Sequence, residues 1–283
     1  MIMKTCVCII LYNKLPSESV TLNCLLDIQY IDDSKVDIFI FNNGPYSVAN
    51  DKVLNNDILH LVEHLNNRPL SHIYNDFLLK NAEYDRYIIL DDDTPIDDEF
   101  FHGINKYYVS KIDLQVPVIF DSKGEQRYYP LMNKKIYQGS TSEVIYNNQD
   151  FLTIGSGLVV YKSLLDKFNV IGENLFDNRF AFYGVDFSLF RRIKWLEKKN
   201  IQVNIQIPAS LKHSLSRVEN NFSSWRHLER IHDYALSARY YSGNKLKTFC
   251  GVILFLSKEC VHLRLKNILV FFKTFINGKH PRC

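Results

Sequence analysis

Three consecutive carboxylates, Asp91-Asp92-Asp93, follow the apolar run Tyr87-Ile88-Ile89-Leu90. A buried strand that stops on three acids concentrates negative charge at one point, and a cation there offsets the cost. Hard divalent ions such as Mg²⁺ and Mn²⁺ take oxygen ligands, commonly one or two protein carboxylates together with substrate phosphates. The cluster therefore predicts a metal site that holds a phosphorylated substrate at the carboxyl end of a strand. The plainer alternative is a group of acids that solvates a strand end. A further acid, Asp186, stands in Tyr183-Gly184-Val185-Asp186 before a helical stretch ending near Lys199. In that position it either caps the helix or takes a proton from a reacting hydroxyl.

The elements that must position these groups alternate in the βα manner. Thr5 to Tyr12 reads as a buried strand, and Ser17 as the cap of a helix over Glu18 to Gln29. Val36 to Phe41 is a second strand ending in the turn Asn42-Asn43-Gly44-Pro45, and Asp57 to Val62 a short third. Pro69 to Lys80 reads as a helix and Asp85 to Leu90 as the strand that leads to the acids. Such alternation predicts a parallel sheet covered by helices, with ligands outside the carboxyl ends of its strands, where Asn13, Asn42, Asn43 and the aspartates all fall. Further on, Leu114 to Phe120 and Leu152 to Val160 read as strands, the second interrupted by Gly155-Ser156-Gly157. Glycine within a strand often marks the close approach of a ligand or another backbone. Val203 to Ile207 is a last strand before His213-Ser214-Leu215-Ser216.

At 283 residues the chain can bury a sizeable core. The apolar stretch Cys6 to Leu11 behind Lys4 is too short for a signal peptide, lacks a small-residue cleavage site and runs into Tyr12-Asn13-Lys14. Six cysteines include no CxxC pair; Cys6 and Cys8 share one strand face, as small buried residues do, in keeping with a reducing cytoplasm. The net charge of +3 conceals an asymmetry. From Lys245 onward eight Lys or Arg stand against Glu259 alone, a charge of +7, while 26 basic and 30 acidic residues elsewhere leave −4. This tail reads as helical, with apolar runs Phe249 to Leu256 and Ile268 to Ile276, too short to span a bilayer. It suits either the membrane interface or packing on the domain with a solvated basic face. Nucleic-acid binding is excluded as a class, because the basic residues gather in an apolar tail and not in a broad patch with stacking aromatics.

Over roughly residues 4 to 235 the chain resembles a glycosyltransferase of family 2, with the GT-A fold. The resemblance rests on Val7-Cys8-Ile9-Ile10-Leu11-Tyr12-Asn13, Phe41-Asn42-Asn43-Gly44, Asn66 to Asn75, Leu90-Asp91-Asp92-Asp93-Thr94, Gly155-Ser156-Gly157, Tyr183-Gly184-Val185-Asp186 and His213-Ser214-Leu215-Ser216, in the family's order. It implies an α/β fold with a mostly parallel, Rossmann-like sheet flanked by helices. It divides the chain into a nucleotide-sugar half (1–95), an acceptor and catalytic half (96–240) and the basic helical tail (241–283). Asp91 and Asp93, joined by His213, would hold Mn²⁺ or Mg²⁺, and Asp186 would be the base of an inverting transfer. Tyr12, Asn13, Asn43, Arg68, Asp91 and Asp92 would meet the donor, and Gly155, Ser156 and Gly157 would shape the acceptor side. Asn75 lies in the same segment as Arg68, which pairs with a phosphate or stays at the surface. Trp225 and Trp195 could stack on sugars, Trp195 more readily serving as core. The chain departs from the family pattern where Val185 replaces a Glu, where Ser188 stands for a frequent second acid, and where Asn42-Asn43-Gly44 lacks an acid for the base or ribose.

The implied activity is transfer from a UDP- or dTDP-sugar to a glycan or polyprenyl-diphosphate-linked acceptor, as in bacterial O-antigen or capsule synthesis, at the cytoplasmic face of the cell membrane. Tyr183-Gly184-Val185-Asp186 and the Asn42-Asn43-Gly44 turn resemble rhamnosyl- and galactofuranosyltransferases most. Two other classes remain in view. A sugar-phosphate nucleotidyltransferase would show a Gly-rich basic loop where this chain has Asn13-Lys14-Leu15-Pro16. A non-catalytic glycan-binding or scaffold protein would need neither the base nor the metal pair.

Overall fold

In the computed structural model, which describes residues 3–32, 35–140, 142–146, 150–214 and 223–283, the first strand is β1 (Thr5–Leu11). All of β1 except Ile10 is buried, as a strand covered on both faces requires. Cys6 and Cys8 point into one core with Ile73 and Phe77, whereas Val7, Ile9 and Leu11 point into the other with Leu22 and Leu25. Parallel neighbours β2 (Val36–Asn42) and β3 (Leu59–Glu63) extend the sheet on one side, and β4 (Arg86–Asp91) on the other. Helices α1 (Val20–Asp27), α2 (Gln29–Asp32) and α3 (Leu70–Lys80) accompany these strands. Burial of Ile73, Tyr74, Phe77 and Leu78 along one face of α3 explains why this segment is helical. Each such side chain contributes about 1.5–3 kcal/mol when removed from water. The cap of α1 is Ser19, whose side chain accepts from the Leu22 amide, and not Ser17, which instead bonds Asp51.

Beyond β4 the chain forms α4 (Asp98–Lys106), β5 (Leu114–Gln115) and β6 (Val118–Phe120). The expected single strand Leu114 to Phe120 is thus divided. Pro117 has no N–H to continue the ladder, so β5 stays in the main sheet and β6 passes to another. Next come β7 (Arg127–Tyr129), β8 (Leu131–Met132), β9 (Lys135–Ile136), β10 (Val144–Tyr146), β11 (Phe151–Leu152) and β12 (Leu158–Tyr161). The expected strand Leu152 to Val160 is likewise two strands, β11 and β12, separated by a turn at Gly155-Ser156-Gly157. The remainder is α5 (Lys162–Val170), α6 (Val185–Glu197), β13 (Asn204–Gln206), β14 (Ser210–Lys212), α7 (Ser224–Tyr240), α8 (Lys245–Val261) and α9 (Leu265–Asn277).

The main sheet has eight strands in the order β10-β13-β5-β12-β4-β1-β2-β3. It is mixed: β12 runs antiparallel to β4 and β5, and β10 antiparallel to β13, while the other pairs are parallel. Two three-stranded sheets, β11-β8-β9 and β14-β6-β7, stand beside it. At the far end, α9 packs on α7 around Phe271, Ile231 and Ala235.

Candidate metal and catalytic site

Strand register sets the site. Leu11 pairs with Asn42, and Ile10 with Asp91, so Tyr12, Asn43 and the acids leave the sheet along one edge. Because β12 is antiparallel to β4, its leading turn reaches the same edge, where the Gly157 amide donates to the Ile89 carbonyl. A cavity of about 970 Å³ opens there. Four acids line it, Asp91, Asp92, Asp93 and Asp186, together with an aromatic group that includes Tyr128, Tyr129, Phe182, Tyr183, Phe187 and Trp225.

Asp91, Asp93 and His213 converge, with one ligand atom from each lying within 4.8 Å of the others. His213 Nε2 is 3.4 Å from Asp91 Oδ2, and its Nδ1 is 3.8 Å from Asp93 Oδ1. His213 follows β14, is almost wholly buried, and shares a hydrogen bond between Nδ1 and Thr94 Oγ1 (3.1 Å). Thr94 in turn shares one with Ser156 Oγ (2.7 Å), and the Asp91 amide donates to the same serine oxygen (3.2 Å). From the other side, the Thr21 hydroxyl reaches the Asp91 and Thr94 carbonyls, and the Ser19 hydroxyl donates to the Asp92 carbonyl. The start of α1 thus braces the acidic loop. Burial, reinforced by the Asp93 and Asp92 charges and opposed by His213, pushes the Asp91 carboxyl up to about 6. Its side chain is 43% open, on the cavity and beside two more acids. A divalent cation would relieve that crowding; the two carboxylates suit a hard ion, while the imidazole weighs against Mg²⁺ and towards a softer one such as Mn²⁺. Asp92 does not join the cluster; it pairs with Lys14.

Asp186 lies in the first turn of α6, where the helix dipole favours a carboxylate. It does not cap the helix: the N-cap is Gly184, at φ +84° and with no side-chain cap bond. A β-carbon at Gly184 would meet Asp233 and Phe180, so glycine is required there both by conformation and by space. Gly155 lies directly against the Asp186 carboxylate; a β-carbon there would be 2.6 Å from Oδ1. Tyr74, buried in α3, lines the cavity as well, and burial followed by the charges of Asp91 and Asp186 keeps its phenol protonated.

The other residues singled out from sequence are dispersed, some lining the cavity and others spent on packing around it. Tyr12 and Asn43 line the cavity, although the Asn43 amide group is spent on the Arg68 backbone and Asn67. Asn13, in the left-handed region at φ 52°, donates its amide to Gly44 and is not among the lining residues. Arg68 bonds Asp76 (2.8 Å) and Asn75 bonds Phe176 and Asn178, so both side chains serve the packing around α3. Of Gly155-Ser156-Gly157, expected on the acceptor side, Ser156 is fully buried and its hydroxyl accepts from the Asp91 amide, because β12 delivers this turn under the acidic loop. Trp225 lines the cavity against Phe182, whereas Trp195 is 37% exposed under Lys199 and not in the core. Val185 is buried and the Ser188 hydroxyl donates to its carbonyl, which accounts for both departures by packing. Leu215 and Ser216 lie outside the described residues.

Sequence reasoning missed Tyr74, Thr94, Arg226 and the tyrosines of β7. Of these only Thr94, next to the acids, carried a local signal. It also missed a connection behind the cavity wall. Arg282 donates to the Asn67 carbonyl and side-chain oxygen (3.3 and 2.8 Å) and to Glu229 (2.9 Å), and Asn67 lines the cavity beside Asn43.

No family model and no curated protein matches the sequence. Solved structures do match. The mannosyltransferase PcManGT from Pyrobaculum calidifontis, in complex with GDP-Man and Mn²⁺, is 14% identical, with 98% of this chain and 74% of that one covered and a TM-score of 0.54. TarS 1-349 from S. aureus, in complex with UDP-GlcNAc, is 15% identical over 87% of this chain and 69% of that one, with a TM-score of 0.52. GalNAc-T7 with UDP, GalNAc and Mn²⁺ is 12% identical at a TM-score of 0.52; the match covers 88% of this chain but only 54% of that one. At these identities the likeness establishes the fold, a GT-A, Rossmann-like α/β sheet flanked by helices.

Proposed function

We propose that this chain is an inverting, metal-dependent glycosyltransferase that moves one sugar from a nucleoside-diphosphate donor to an acceptor hydroxyl. The observation that carries this reading is the meeting of the Asp91–Asp93–His213 cluster and Asp186 in one cavity with an aromatic wall. The solved relatives hold nucleotide sugars or nucleotides on the same fold, two of them with Mn²⁺.

Asp91, Asp93 and His213 would hold Mn²⁺ or Mg²⁺, which when bound neutralises charge on a departing diphosphate. Thr94 and Ser156 fix the ligand side chains from behind. Asp186 accepts the acceptor's proton as its oxygen attacks the anomeric carbon and the bond to the diphosphate breaks. An oxocarbenium-like transition state follows from that bond order. Tyr12 and Asn43 face the donor, and Trp225 with Phe182 and Tyr183 offers flat surfaces for the acceptor. UDP- and dTDP-sugars, then GDP-sugars, are the donors to try, with rhamnosyl and galactofuranosyl donors first. A glycan or polyprenyl-diphosphate-linked acceptor in surface polysaccharide synthesis fits an aromatic cavity on a chain with a basic tail.

The test is a thermal-shift series with UDP, dTDP and GDP, with and without Mn²⁺. A ligand that binds the folded state alone raises the melting temperature by mass action. A Mn²⁺-dependent shift with one nucleotide, kept in Asp186→Asn while sugar transfer is lost, is the expected result. No shift with any nucleotide at several millimolar would overturn the reading.

A further inference from the structure

Helices α8 and α9 each carry two apolar stripes where a surface helix ordinarily carries one. The inner stripes, Val252 and Phe255 on α8 and Val270 and Phe271 on α9, pack with Tyr234 and Ala235 of α7. The outer stripes face solvent. Leu246, Phe249 and Leu254 on α8 and Leu265, Leu269 and Ile276 on α9 are each at least 60% exposed. Leu265, Leu269 and Ile276 recur at helical spacing on α9, as do Leu246, Phe249 and the half-exposed Ile253 on α8, so each helix carries a continuous strip rather than the scattered apolar residues normal on a surface.

The charges around these strips have one sign. Glu259, the sole acid from Lys245 onward, is buried, accepts from the Asn267 side chain (2.6 Å) and bonds His227 (3.1 Å). The exposed surface of the pair therefore presents Lys245, Lys247, Lys258, Lys266 and Lys273 with no carboxylate among them. Two copies meeting face to face would set lysine against lysine. An anionic lipid surface takes both features at once, the apolar strips at the acyl boundary and the ammonium groups at the phosphates. Among the described residues no helix is long and apolar enough to cross a membrane, so the pair would lie in the plane of the interface.

We propose that the outer face of α8 and α9 docks on an anionic lipid bilayer. This inference does not depend on the transferase reading, and its test reads no sugar transfer. The full chain would be floated with vesicles of phosphatidylglycerol and phosphatidylcholine, and with vesicles of phosphatidylcholine alone. Binding to the anionic vesicles only is expected. Leu269→Asp with Phe272→Asp should abolish it, and Lys266→Glu with Lys273→Glu should lower the partition at least about 25-fold, roughly fivefold for each lysine lost. All four side chains are exposed or half-exposed, so melting temperatures and any nucleotide-induced shift should stay unchanged. Equal binding to both vesicle types, no binding to either, or full binding by the Leu269/Phe272 variant would overturn the proposal. So would a dimer in solution that the same variant converts to monomer without any vesicle binding, which would assign the face to a second copy.

Discussion

Gly155→Ala should disarm Asp186 without altering it chemically. A β-carbon at 155 would lie 2.6 Å from Asp186 Oδ1, 3.0 Å from Cγ and 3.2 Å from Oδ2, whereas ordinary contact begins at 3.4 Å. The carboxylate must therefore retreat by roughly 0.8 Å, a displacement set by steric contact alone. The backbone accepts alanine here, since Gly155 is not among the glycines with positive φ. Nor can the turn give way easily, because Ser156 is buried and tied to Asp91 and Thr94. What moves is the acid. A misplacement near 1 Å costs about 100-fold in rate, or ~2.7 kcal/mol on the barrier, at the low end of what a general base supplies. The assay is release of nucleoside diphosphate from the donor that gives the largest Mn²⁺-dependent thermal shift. That shift should be the same in the variant, showing an intact metal and nucleotide site. Turnover within about threefold of the native chain would refute the placement of Asp186 as base, since loss of a working base costs at least about 100-fold.

Thr94→Val removes the hydroxyl behind His213 Nδ1 and should raise the Mn²⁺ concentration needed for half-maximal nucleotide-induced stabilisation by about 10–100-fold; an unchanged Mn²⁺ titration would exclude His213 from the metal shell. His232 is held neutral, its pKa lowered to about 4 by burial and then by the His280 charge, with Glu229 opposing. Because the unfolded chain takes up this proton first, the native state loses stability as pH falls from about 6.5 towards 4, by on the order of 3 kcal/mol. Urea unfolding of native chain and His232→Gln should show the gap between them narrowing by that amount over this window, and a constant gap would contradict it. Arg282→Ala should raise the donor KM several-fold at near-constant kcat, with partial rescue by Arg282→Lys, because the guanidinium holds Asn67 beside Asn43. A fall confined to kcat would refute that role.

The cavity edge built by β1, β2 and β4 was legible because its signals are local. Strands β1, β2 and β4 are mostly apolar runs, and the polar residues at or just past their ends, Tyr12, Asn43 and Asp91, line the cavity, so strand and site are read together. Asp186 was legible through Gly184, whose left-handed conformation starts α6. The wall from β7 to β9 was not. Strands β7, β8 and β9 are two or three residues long and show no periodicity, so nothing in the chain announces that Tyr128 and Ile136 reach the cavity of Asp91. The place of Ser156 beneath Asp91 was not legible, because an antiparallel β12 interrupts the expected parallel order and only the register with Ile89 locates it. Helix α7 went unread although Ser223 caps it and Ile231 and Ala235 recur at helical spacing. Trp195 misled because apolar neighbours on α6 cannot tell which flank of a helix a neighbouring element leaves bare.

The bond from Arg282 to Asn67 spans 215 positions of sequence and joins the segment after α9 to the cavity wall beside Asn43. It removes the modularity that a basic tail suggests. A chain cut after Gly243 would lose its lysines and apolar strips, and it would also lose a clamp on the wall that Asn43 belongs to. Inactivity in such a fragment would then carry no information about lipid attachment, and grafting a foreign anchor in place of α8 and α9 would not restore the missing grip. Surface residues of the outer strips are free to drift or be exchanged independently of the active centre. Glu229, His280 and Arg282 are not, and variation there should track variation around Asn67.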